Sequence, residues 1–213
     1  MVIAGAIATG LGALVKSGKI IYKSYQDYNG FLDKIEKDIE AITKAIDYQI
    51  KKKKAAEYRK LGPKERVKLL MNGTKSHVKS LKKHLAAAEG RMILMRKANL
   101  KLIVDAADAQ DNWDKMASHS DSAISGEAKK ARELAGRTKR KVEKFAEKKA
   151  DFDKLKREAE TQMARLEKTG EFTSEKVSGL IKFAQDHENT ANFILTAIKA
   201  LVTSGKKIAK AVK

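Results

Sequence analysis

Residues able to carry chemistry are few in this chain, and charge groups them more clearly than reactivity does. His77 and His84 are two helical turns apart, while His119 and His187 stand alone. There is no cysteine, which removes thiol chemistry, and without clustered carboxylates a metal centre is not expected. Asp105, Asp108, Asp111 and Asp114 advance by three residues per step. On a helix that step spirals around the axis and does not converge on a carboxylate pocket. No G-x-x-x-x-G-K-[ST], H-E-x-x-H or nucleophile elbow is present. The expectation is a non-enzymatic protein with no catalytic residue, no cofactor and no small-molecule substrate.

The stronger signal is cationic. Lys and Arg number 46 against 27 Asp and Glu, a formal charge of +19, which points to an anionic partner such as a lipid headgroup or nucleic acid. Two runs concentrate it: Lys51, Lys52, Lys53 and Lys54, and the stretch Arg137, Lys139, Arg140 and Lys141 interrupted by Thr138. These are the candidate anion contacts, although four successive lysines wrap around a helix and only some can face one surface. Aromatics are 6% of the chain and are not interleaved with the basic runs. No RNA- or DNA-binding signature appears, so nucleic acid is a possible partner on charge alone, through nonspecific phosphate contact.

The opening stretch VIAGAIATGLGALVKSGKII carries no charge before Lys16. At 100° per residue Ile3, Ile7, Leu11, Leu14, Ile21 and Tyr25 share one face, and Gly5, Thr9, Gly12, Lys16 and Lys23 the opposite one. The first face is the candidate membrane-inserting surface. The second is a polar or pore-lining surface, small at one end and cationic at the other, as for a helix entering a bilayer at a slant. Tyr22, Tyr25 and Tyr28 follow at the level that amphipathic rings prefer. About fourteen apolar or small residues are fewer than the roughly 20 a spanning helix needs. Basic residues follow the apolar run where a secretory signal places them first, so no cleavable signal peptide is recognised. No lipid anchor is expected, since Val2 stands where myristoylation needs Gly, and prenylation and palmitoylation need a Cys.

Elements that could position these residues are helical. A single proline, few aromatics and abundant Ala, Lys, Glu and Leu favour long helices over a sheet. The expected fold class is all-α, an elongated antiparallel bundle in one domain, 1–213. Breakers at Asn29-Gly30, Gly62-Pro63, Asn72-Gly73, the polar run 118–122 and Thr169-Gly170 predict helices over 2–28, 31–61, 74–118, 122–169 and 174–212, with a short helical piece between Pro63 and Met71. Region 1–29 is then a Gly/Ala-rich amphipathic helix and 74–169 a long hairpin.

The hairpin is the most regular part. Val78, Leu81, Leu85, Ala88, Met92, Met95, Asn99, Leu102, Ala106, Ala109, Trp113 and Met116 follow unbroken 3-4 spacing, a coiled-coil seam. Ile124, Ala128, Ala131, Ala135, Thr138, Val142, Phe145, Lys149 and Phe152 answer it on the returning helix. Folding back places Asp105 to Asp114 beside Lys129, Lys130, Arg132 and Arg137. Leu32, Ile35, Ile39, Ile42, Ile46 and Ile50 form a second apolar face, and Val177, Leu180, Ala184, Ala191, Ile194, Ile198, Leu201, Ile208 and Val212 a third.

The pattern is similar to helical membrane-remodelling modules and to α-helical pore-forming bundles that release an N-terminal helix, without a shared motif. What it implies is a soluble form that associates with anionic membrane lipids, inserts its first helix in a pore-forming or remodelling role, and forms homo-oligomers. The alternative is a self-assembling virion or filament component whose basic faces hold nucleic acid.

Overall fold

A computed structural model describes the backbone of residues 2–211, and the side chains of these except 2–11, 14, 145–146, 178, 180–188, 190 and 209. Every regular element among them is helical: α1 Val2–Lys53, α2 Ala55–Lys60, α3 Pro63–Ala117, α4 Ser122–Glu147, α5 Lys149–Thr169 and α6 Glu175–Ala211. The neighbours α1 and α3, and α3 and α4, run antiparallel.

Several expected boundaries move. Neither Asn29-Gly30 nor Asn72-Gly73 interrupts a helix. An isolated Gly costs about 1 kcal/mol against Ala, less than the burial of Tyr28, Leu32 and Ile35 around Gly30 returns. The first break comes at Lys54, whose φ of 65° is left-handed, closed by a bond from its N–H to the Lys51 carbonyl at 3.2 Å. The returning helix of the hairpin is divided at Lys148 into α4 and α5.

The turn after α3 and the end of α5 fall where the sequence places them. Asp121 caps α4, its carboxylate accepting from the N–H groups of Ala123 at 2.8 Å and Ile124 at 3.3 Å. Gly170 (φ 72°) ends α5, donating to the Leu166 carbonyl at 3.1 Å. This is the left-handed cap position that glycine occupies without strain.

Contacts divide the chain into two compact units. One comprises 27–91 and 150–185. Its core takes Leu32, Ile35, Ile39 and Ile42 from α1, Leu70, Val78, Leu81 and Leu85 from α3, and Phe152, Ala159, Met163 and Leu166 from α5. Partners on α3 descend as those on α1 ascend: Asp27 meets Arg91 at 3.2 Å, Asp38 meets His84 at 2.7 Å, and Gly73 lies against Ala45 and Gln49. Lys156 joins α5 to α3 through Glu89 at 3.1 Å. Burial pulls its pKa down, but hydrogen bonds to Glu160 and Glu89 outweigh that and the net direction is up.

The other unit comprises 1–26, 92–149 and 186–213. Its core is alanine-rich where α3 meets α4, with Ala98, Ala106 and Ala109 facing Ala128, Ala131 and Ala135, and larger where Trp113, Ile124, Ile194, Ile198 and Leu201 close it. Small side chains let the helices approach closely. Gly18 marks a close crossing, since a Cβ there would run into Cδ1 of Ile198 on α6. Ser17 beside it donates to Asp105 of α3 at 3.0 Å. All twelve predicted seam positions of α3, Val78 to Met116, are buried.

Candidate interface for an anionic partner

The basic run at 137–141 is sorted by the turn of α4. Positions 137, 140, 141 and 144 share a face, as i, i+3, i+4 and i+7 must. Arg137, Arg140, Lys141 and Lys144 line an open groove of about 390 Å³ together with Phe193 of α6. Phe193 packs partly into the core, and the Lys141 ammonium lies 5.5 Å from its ring centroid, a cation-π contact. Arg137 is bonded to Glu133. Thr138 turns inward and bonds the Leu134 carbonyl at 2.8 Å. Lys139 is half-buried and lies outside the groove, while Lys144, which the sequence reading passed over, belongs to it.

Glu127 ties the other end of α4 to α6, accepting from Ser204 Oγ at 2.8 Å and Lys207 Nζ at 3.4 Å. The Ser204 bond is the main cause that holds its pKa below the ordinary value; burial opposes it, and the Lys207 charge and hydrogen bond and the Lys130 charge add smaller pulls downward.

The lysines 51–54 are all exposed on and just after the last turn of α1. Of the acidic series, Asp114 meets Arg132 at 2.7 Å, as the folded-back hairpin predicts. Asp105 instead turns to α1, where it takes Ser17, with Lys101 at 3.7 Å. A step of three residues rotates each Asp by about 60° from the last, so the four cannot all face α4.

The opening helix is amphipathic as far as its side chains are described. Ile21 and Tyr25 are buried in the bundle, and Gly12, Lys16 and Lys23 are exposed. Ile3, Ile7, Leu11, Leu14, Gly5 and Thr9 lie outside the described side chains. No helix is long and apolar enough to cross a membrane among the described residues.

A second surface escaped the sequence reading. On α3 the large hydrophobics Ile93, Leu94, Leu100 and Val104 are 39%, 43%, 51% and 59% exposed. Ile93, Lys97, Leu100 and Val104 keep the same 3-4 spacing as the seam but on another face, with Arg96 and Lys101 beside them, both exposed. The repeat was legible as a second stripe once the seam was subtracted. Asp108 and Asp111 bound it toward the C-terminal end of the helix.

Compared with protein-family models, with curated proteins and with solved structures, the chain matches none, so its fold and surfaces are the whole basis for a functional reading.

Proposed function

We propose that the protein is a non-enzymatic binder of anionic membrane surfaces, attached through the exposed stripe of α3 and through the first turns of α1. The observation that carries this reading is the stripe itself: Ile93, Leu94, Leu100 and Val104 exposed among Arg96, Lys97 and Lys101. Apolar side chains enter the boundary between headgroups and acyl chains, while long cationic ones reach back to lipid phosphates. Each partly exposed hydrophobic contributes about 1 kcal/mol on burial, and each Lys or Arg near an anionic leaflet about 1 kcal/mol. The sum supports reversible attachment, strengthened by the excess of 46 basic over 27 acidic residues. In this reading Ile3, Ile7, Leu11 and Leu14 insert as well, whereas Ile21 and Tyr25 stay in the bundle as an anchor.

Flotation with vesicles of phosphatidylserine and phosphatidylcholine tests the proposal. The full chain floats, and Leu100→Glu/Val104→Glu does not. Because removal of residues 1–29 strips buried Ile21, Tyr25 and Tyr28 from the bundle, the informative truncation stops at residue 11. That truncation reduces dye release more than flotation. Equal flotation of wild type and the α3 variant overturns the proposal.

The competing reading, a self-assembling structural protein with nucleic acid on its basic faces, draws on the same stripe, because an exposed apolar helix face also accepts a second copy. It predicts that Leu100→Glu/Val104→Glu lowers the oligomeric state in the absence of lipid.

A further inference from the structure

We infer that the groove between α4 and α6 is a binding site for a compact polyphosphorylated group. The side chains of two arginines and two lysines, their aliphatic stems foremost, line one opening of about 390 Å³, within the range of small-ligand sites. Guanidinium forks match phosphate oxygens in pairs, and ammonium groups add point charge without demanding one geometry. Two or more phosphates satisfy such a set better than one. The Phe193 ring gives the opening an apolar wall against which the ligand's carbon skeleton can lie.

The fold accounts for these charges only in part, since Lys141 rests over the Phe193 ring and Arg140 has no charged partner among the described residues. Cations at i, i+3, i+4 and i+7 on one helix repel one another. Among the described residues only Arg137 of the four has a carboxylate partner, Glu133. The negative end of the α4 dipole favours Lys144 in the last turn, but its influence fades before Arg137 and Arg140. A bound anion removes the repulsion. The phosphates have two possible sources, a free metabolite or a multiply phosphorylated lipid headgroup, and the site chemistry is the same for both. The groove is independent of the α3 stripe, so either can fail without the other.

Calorimetric titration of the full chain with inorganic tripolyphosphate tests the site. Arg140→Gln/Lys144→Gln is expected to weaken binding about tenfold or more, whereas Lys51→Gln/Lys53→Gln, which removes the same charge from another exposed surface, changes it less than about twofold. Both pairs are exposed, and matching melting curves verify that each variant folds. Leu100→Glu/Val104→Glu leaves tripolyphosphate binding intact. Vesicles containing phosphatidylinositol bisphosphate, matched in surface charge to phosphatidylserine vesicles, separate the sources. A preference lost in the groove variant identifies a headgroup, and tripolyphosphate binding without that preference identifies a free phosphate compound. Equal weakening by the two double variants, or no tripolyphosphate binding by the wild-type chain, overturns the inference.

Discussion

Asn99 occupies a seam position of α3, is fully buried, and both polar atoms of its amide lack a hydrogen-bond partner. A buried polar group left unpaired costs about 1–3 kcal/mol, and a lone polar residue in a seam is a known device for fixing register. Asn99→Leu is therefore expected to stabilise the fold by about 1–3 kcal/mol, read as a raised midpoint in urea unfolding. A lowered midpoint would mean that the amide is solvated by water in solution. The position of Asn99 was legible from spacing alone, because the 3-4 repeat assigns every seam residue a place. Its lack of a partner was not legible, since that depends on which side chains of other helices arrive opposite it. The same limit applies to Asp105: the sequence pairs it with α4 cations, and Ser17, 88 residues away in the chain, takes it instead.

At the scale of elements, apolar periodicity was a better guide than breakers. Among the described side chains the predicted positions of α3, Leu32 to Ile42 of α1, Ile124 to Val142 of α4, and Val177 and Ala191 to Ile208 of α6 are buried, Ile46 and Ile50 are half-buried, and Phe145, Leu180, Ala184 and Val212 lie outside the description, whereas the glycines at 30 and 73 proved to be ordinary helical positions. A Cβ at Gly30 or Gly90 would meet nothing within 4 Å, so Gly30→Ala and Gly90→Ala are each expected to stabilise by about 0.5–1 kcal/mol. Gly18→Leu, placed against Ile198, is expected to destabilise by about 1–3 kcal/mol. Thermal unfolding of the three variants checks both signs.

The α4–α6 clip has a pH signature. The folded-state pKa of Glu127 is lowered from the ordinary 4.5, so its contribution is present above that value and lost as pH falls through the lowered one. Glu127→Gln is expected to flatten the fall of the melting temperature below about pH 4.5 and to leave its slope near neutrality unchanged.

For the whole molecule, composition made the charge and the helical class legible, and it left open where a partner binds. The basic run at 137–141 was visible in the sequence, but the groove was not, because Phe193 reaches it from another helix and Lys139 turns away from it. The α3 stripe was hidden by the stronger seam on the same helix. The absence of cysteine permits a direct test of the central claim, that this stripe enters an anionic membrane surface. A single environment-sensitive fluorophore is attached at Leu100→Cys, and in a parallel sample at Lys130→Cys, exposed on α4. On adding vesicles of phosphatidylserine and phosphatidylcholine, the label at 100 should shift to the blue and be quenched by brominated acyl chains, while that at 130 should keep its aqueous emission. An aqueous spectrum at position 100 on vesicle-bound protein, or a blue shift that rises with protein concentration and needs no lipid, would contradict the account.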